Sequence, residues 1–174
     1  FAKSPHAAAA AAGKFIQCVG CHGNHAIQQP TGRLFDQTCV RCHAKDAKPL
    51  AVRDSLISLL QNARGAYERA SDRVRDATVR GLATDDEQLL LQEAKTQVLQ
   101  LEVLQHTLSP DELRPGAART EEIVVDTLRQ VNHLERVELW KRLAVVPLWA
   151  LMILMAILFA AKRLILKMGG PRGH

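Results

Sequence analysis

The chain has 174 residues, of which 47% are hydrophobic and 24% charged, with a formal charge of +5 and a mean hydropathy of −0.08. These values exclude a disordered chain and a membrane protein of many spans, and they allow one small domain with a membrane element. The basic charge alone would fit an acidic or nucleic-acid partner. We expect no nucleic-acid binding, because no aromatic residues are interleaved with the basic ones.

All four cysteines lie before residue 44, in two C-x-x-C pairs separated by seventeen residues. That spacing alone fits a four-cysteine zinc site or two disulfides. A histidine follows each pair directly, and with seven histidines in the chain both would occur by chance about once in 600. The two motifs are Cys18-Val-Gly-Cys21-His22 and Cys39-Val-Arg-Cys42-His43.

C-x-x-C-H is the attachment motif of c-type haem. The two thiols add to the vinyl groups on one edge of the porphyrin, and the adjacent histidine coordinates the iron from the proximal side. We therefore predict two c-type haems. Cys18, Cys21, Cys39 and Cys42 would form the thioether bonds, and the proximal ligands would be His22 and His43. A zinc ribbon and a pair of disulfides are the alternatives.

Leu143–Ala161 is a run of nineteen residues without a charge, close to the roughly 20 residues that cross a bilayer as a helix. Trp140 and Trp149 lie near its start, as interfacial anchors do. We predict a transmembrane helix over 143–163. The alternative is a buried core helix, but the rest of the chain is too small to cover such a helix on all sides.

Four basic residues and no acidic one follow this run: Lys162, Arg163, Lys167 and Arg172. The positive-inside rule therefore predicts a cytoplasmic tail, 164–174, and places residues 1–142 on the periplasmic side of the inner membrane. In bacteria, c-type haem is attached on that same side. Since the chain starts at Phe1 without a methionine, we also expect that a leader was removed.

The stretch 50–142 is rich in apolar residues at helical steps of three and four. The first stripe contains Val52, Leu56, Leu59, Leu60, Ala63, Tyr67, Ala70, Val74 and Ala77, and the second Leu91, Ala94, Val98, Leu101 and Leu108. Gly81 is expected to end the first helix, and capping boxes at Thr84 and Ser109 to begin the next two. Pro115-Gly116 is expected to end a short turn before a last helix from about Arg119.

These patterns predict a mainly α fold without a sheet. A small, loop-rich dihaem head (1–49) would be followed by a long helical hairpin (50–142) that covers the haems and docks partners. A single C-terminal transmembrane helix (143–163) and the tail (164–174) complete the chain.

Each haem iron also needs a ligand on its distal face. Methionine is unsuited, because all three methionines lie in or beyond the predicted span. His25 and His106 are the favoured candidates, and His133 and His6 are further ones. His25 is too near His22 to reach over the same haem but is well placed for the neighbouring one. The ordinary alternatives are a helix-end histidine for His106 and a surface histidine for His133.

The head, from about Lys14 to Ala47, resembles the multihaem cytochromes c with closely spaced motifs, such as the c3/c7 type and the quinol dehydrogenases of the NapC/NrfH type. The resemblance rests on Cys18, Cys21, His22, Cys39, Cys42 and His43. It implies tight haem packing in which motifs share ligands. Leu101–Pro110 resembles a helix that places a histidine over a haem in larger multihaem cytochromes. Quinol oxidation is not implied, because the NapC/NrfH proteins carry an N-terminal anchor and more haems.

Together these features favour an electron-transfer subunit over a catalytic one. The chain would be a membrane-anchored dihaem cytochrome passing electrons between membrane-embedded and periplasmic redox subunits of a larger complex, with haem-to-haem contact to a partner cytochrome. The alternatives are a quinol dehydrogenase, an enzyme subunit with one open haem site, and a zinc-ribbon membrane adaptor. Two haems would add about four negative propionates, which would bring the external charge near neutral.

Overall fold

The computed structural model describes residues 1–14, 17–23, 32–45 and 47–168, which form helices and contain no strand. The helices are α1 (His6–Ala11), α2 (Gln17–His22), α3 (Gly32–His43), α4 (Ala47–Val79), α5 (Asp85–Leu104) and α6 (Pro110–Met168), with a 3₁₀ turn at Gln105–Thr107. The expected mainly α fold class is confirmed. The chain divides into two units, Phe1–Val131 and Asn132–His174.

Three helices build the core of the first unit: α4, α5 and the start of α6. Leu56, Leu101 and Leu113, one from each helix, form a cluster of fully buried side chains. The next cluster contains Ala70, Ala94, Ile123 and Val124, and the last contains Val74, Ala77 and Val131. From the first cluster to the last, the residue numbers on α4 and α6 both increase, whereas those on α5 decrease. Helix α5 is therefore antiparallel to both neighbours, and α4 and α5 form the expected hairpin.

The turn between α4 and α5 follows the sequence signals in part. Gly81 has φ 83°, the amide of Gly81 donates to the Thr78 carbonyl at 2.9 Å, and that of Leu82 donates to the Ala77 carbonyl at 3.1 Å. These two bonds form a Schellman motif, so Gly81 ends α4 as expected. Thr84 precedes α5, but its hydroxyl pairs with the Thr78 hydroxyl at 2.6 Å and makes no capping bond.

The expected stop at Pro115-Gly116 is wrong, because α6 runs without a break from Pro110. Proline is tolerated at Pro110, the first helical position, and Pro115 removes one donor close to the helix start. A Cβ built on Gly116 would lie 2.9 Å from Leu101 Cδ2. The glycine therefore permits close approach of α6 to α5, rather than a turn.

The described part of the head is helical, where the sequence analysis expected loops. Helix α3 carries an amphipathic stripe at helical spacing, namely Leu34, Phe35, Thr38, Cys39 and Cys42. Phe35 packs against the Leu56 cluster on α4. The first four of these side chains are partly buried and Cys42 is exposed. Partial burial of the stripe outweighs the middling helix propensities of cysteine, threonine and phenylalanine.

The second unit contains the apolar end of α6. By length and composition, this helix could cross a membrane. No residue of its most apolar 18-residue stretch is buried by the described chain. The side chains of Leu143, Val146 and Leu148 are all more than half exposed. A buried core helix, the alternative considered from the sequence, does not fit these exposures.

Replacing Gly116 with alanine is expected to lower the free energy of unfolding by about 1 kcal/mol, because the added methyl group meets a fully buried leucine side chain. Gly65→Ala is the matched control. Its Cβ would meet only the guanidinium end of Arg69, at 3.2 Å, which can move aside, and alanine favours the helix by up to about 1 kcal/mol. Thermal unfolding in detergent, followed by circular dichroism, would contradict the packing argument if both variants behaved alike.

Candidate functional site

Both C-x-x-C-H motifs form the last turn of a helix, with His22 ending α2 and His43 ending α3. In a helix, residues three and four apart share a face. In each motif the second cysteine lies three residues after the first cysteine, and the histidine lies four residues after it. Each motif can therefore present two thiols and one imidazole on the same side of its helix.

The two motifs line a common cavity of about 920 Å³ in the first unit. Its motif residues are Cys21, His22, Cys39, Cys42 and His43, joined by the non-motif histidines His6 and His106. Apolar side chains form most of the remaining wall: Leu34, Phe35, Ile57, Leu60, Val98, Leu99, Leu101, Val103 and Leu108. The volume is at the upper end of the roughly 300–1,000 Å³ found for small-molecule and cofactor sites.

The four histidines of the cavity form two pairs. The ring centres of His6 and His43 are 6.1 Å apart with 23° between the ring planes, and those of His22 and His106 are 6.2 Å apart with 32° between them. Aromatic rings in ordinary contact span about 4.5–7 Å, so the distances alone do not define a site. Each pair, however, joins one motif histidine to one from outside the motifs.

His106 is held by the end of α5. Its Nδ1 lies 3.1 Å from the Val103 carbonyl oxygen, which can only accept, so Nδ1–H donates and Nε2 keeps a lone pair for a metal. The adjacent Thr107 is buried, and its hydroxyl donates to the Leu104 carbonyl at 2.8 Å. Leu108 then takes a left-handed conformation, with φ 54°, and ends the turn.

His6 is the first residue of α1, a six-residue helix whose other members are all alanine. Burial, and then the charge of the neighbouring His43, lower the pKa of His6. The lowered pKa favours the neutral imidazole, which is the form that binds a metal. Sequence reasoning ranked His6 below His25 and His106, whereas the structure pairs it with a motif histidine.

The charged side chains on the cavity wall, apart from the titratable motif groups, are Lys14, Arg64 and Glu102. Arg64 of α4 forms an ion pair with Glu102 of α5 and so joins the two helices at the cavity. Among the arginines of α4, Arg64 alone is part of the described cavity wall.

The four cysteines are free thiols in this structure, so it contains neither of the two disulfides considered from the sequence. Among the residues that the structure describes, no group of three or more His, Cys, Asp or Glu side chains is placed to hold a metal ion. The four thiols therefore do not converge as they would in a zinc ribbon. An iron ion in a porphyrin takes four ligands from that ring and two from the protein. Each histidine pair contains two imidazoles, the number that such an iron would need.

His133 and Cys18 are not among the residues that line the described cavity. His133 is exposed and belongs to the second unit. His25 lies outside the described residues. Cys18 is exposed and is the one motif thiol absent from the described cavity wall, although it lies on the same helix as Cys21.

We expect Cys18 and Cys42 to react with iodoacetamide several-fold faster than Cys21 and Cys39 when the chain is produced without haem attachment. Burial raises the pKa of both Cys21 and Cys39, which lowers their thiolate fraction, whereas Cys18 and Cys42 are exposed. Tandem mass spectrometry after timed labelling near pH 8 measures the order. Equal rates in the folded chain would contradict it, and unfolding in urea should remove the difference.

None of the three comparisons, with protein-family models, with curated proteins and with solved structures, finds a match for this chain. What the site can do must therefore be argued from its own residues. The site consists of two helix ends that carry thiols, two pairs of neighbouring imidazoles, and an apolar cavity that all of them line.

Proposed function

We propose that the chain is a membrane-anchored dihaem cytochrome of the c type that transfers electrons. It would act between a membrane-embedded redox partner and a periplasmic one, as a subunit of a larger complex. The observation that carries the proposal is the pairing of each motif histidine with one other histidine across a shared cavity.

The ring-centre separations within the pairs equal those that two imidazoles would have when their nitrogens bind one iron ion from opposite sides. A metal–imidazole bond of about 2.0 Å and a further 1.1 Å or so to the ring centre put opposed ring centres about 6.2 Å apart. The observed values are 6.1 Å for His6 and His43 and 6.2 Å for His22 and His106. His22 and His43 would be the proximal ligands, with His106 and His6 as their respective distal ligands.

The walls of the cavity also suit a porphyrin. Haem is a large apolar ring, and the wall is mostly aliphatic. Leu99 and Val103 line the cavity although 52% and 71% of their surfaces are exposed; a bound apolar group would cover part of this surface. Lys14 is a lining cation that could pair with a haem propionate, and Arg64 could do so by sharing or exchanging its partner Glu102.

Two histidine pairs favour electron transfer over catalysis at the haem. A bound haem supplies one-electron chemistry, and bis-histidine ligation usually lowers its reduction potential. When both axial positions are filled by protein side chains, no position remains for a substrate in the resting state. The chain's own part is to fix the ligands, exclude water with the apolar wall and set the local charge.

The apolar end of α6 would anchor this unit in the inner membrane. The segment has the length and composition of a span and is not covered by the described chain. Its basic flank, together with the export that c-type haem attachment requires, supports a periplasmic head and a cytoplasmic C-terminus. Anchoring would keep the head close to a membrane redox partner.

Purified protein from a host with periplasmic haem attachment is expected to carry two covalently bound haems per chain, both low-spin. Replacing Cys39 and Cys42 together with alanine should leave one haem. His106→Ala should convert one haem to a high-spin form, because its distal ligand is lost. The pyridine haemochrome assay and the absorption spectrum measure these outcomes.

His133→Ala is the matched control for His106→Ala, because His133 is exposed and does not line the cavity. Its spectrum should be that of the wild type. A chain without covalent haem, or with stoichiometric zinc in its place, would reject the proposed function.

The proposed orientation predicts that a cysteine at His174 is protected from a membrane-impermeant maleimide in cells with a permeabilised outer membrane. A cysteine at Lys95, which is exposed on α5, should be labelled. The positive-inside rule and the site of haem attachment both require this pattern. Labelling of the first variant but not the second would reverse the assigned orientation.

A further inference from the structure

His6 and His106, the two cavity histidines from outside the motifs, are held in place very differently. His106 follows the twenty-residue helix α5, whose Leu101 is only 1% exposed because it packs in the cluster with Leu56 and Leu113. A backbone carbonyl and the buried Thr107 fix the turn that carries it. Moving His106 away from His22 would break these contacts and unpack the end of α5.

His6, by contrast, belongs to the segment 1–14, called the arm below, whose one helix, α1, has six residues. Helix α1 has no buried residue and, apart from His6, only alanine side chains. A helix of six residues is not stable by itself, since isolated helices in water need about 12–15 residues. Such segments belong to the part of a protein that opens at the lowest free-energy cost.

The docked arm also carries an internal penalty. Ser4 is the single buried residue of the arm, and its hydroxyl has no hydrogen-bond partner within the described structure. An unsatisfied buried hydroxyl destabilises the state that buries it. Release of the arm returns this hydroxyl to water. The equilibrium between the docked and the released arm is therefore shifted toward release.

We propose that His6 is a displaceable ligand and that its departure opens a binding site for a small uncharged molecule, of the carbon monoxide or nitric oxide class, opposite His43. This inference rests on the proposed function. His106 is the fixed counterpart, so only one of the two sites opens. With haem bound, the exchange would break the bond between iron and the His6 nitrogen and form one bond to the incoming ligand. The ligand would donate the electron pair, so that ferrous iron would keep its oxidation state.

The test uses the full-length, detergent-solubilised and reduced holoprotein with carbon monoxide as the probe. The haem count is measured first, so that failure of the proposed function is recognised separately from failure of this inference. We expect one carbon monoxide per chain. The binding rate should level off at high carbon monoxide concentration, because arm release becomes the limiting step.

Two substitutions in the arm test the cause. His6→Ala should bind without a plateau in rate, because no ligand has to leave. Ser4→Ala should bind more slowly, by at least about fivefold in the plateau rate, because the docked arm loses its unsatisfied hydroxyl. Hydrogen exchange provides a second measurement. Saturation with carbon monoxide should increase amide exchange in residues 1–14 and leave 98–109 unchanged.

With two haems present, any of three results would overturn the inference. These are no carbon monoxide uptake by the wild type, two carbon monoxide molecules bound at the same rate, and a plateau rate that Ser4→Ala leaves unchanged. A chain that lacks haem overturns the proposed function as well and is identified by the initial count.

Discussion

The packing of Leu101 between α4 and α6 is the interaction on which the candidate site depends. Leu101 is buried against Leu56 and Leu113, and Gly116 allows α6 to approach it within van der Waals contact. Because α5 is fixed at this point, the 3₁₀ turn that follows carries His106 to the motif helices at a defined distance. The long helices thereby hold the imidazole of His106 beside His22, whereas the imidazole beside His43, that of His6, comes from the head itself.

The cysteine and histidine motifs illustrate what a sequence can provide for a site. The helical spacing of C-x-x-C-H fixes which residues share a face, and the apolar stripes of α4 and α5 were predicted from their period. The partner of each motif histidine was not predictable in the same way. His6 is 37 positions from His43 and 16 from His22. Only tertiary packing of the arm decides which one it meets.

The errors have physical causes too. Treating the head as a cofactor-bound loop hid the helical period of Leu34, Phe35 and Thr38, which is visible in the sequence. Pro115-Gly116 has the composition of a helix stop, but the same glycine also serves where two helices approach closely. Local propensity cannot distinguish these uses, because the difference lies in Leu101, fifteen residues earlier in the chain.

Leu108 has a consequence for how this chain can vary. A leucine with φ 54° stores backbone strain that is absent in glycine, on the order of 1–2 kcal/mol. Glycine would relieve the strain but would remove an apolar side chain from the cavity wall. Leu108 also packs against the cluster of Leu56, Leu101 and Leu113, and burial of a leucine side chain contributes about 1.5–3 kcal/mol. Packing therefore offsets the strain, and one side chain both closes the cavity wall and stabilises the turn that carries His106.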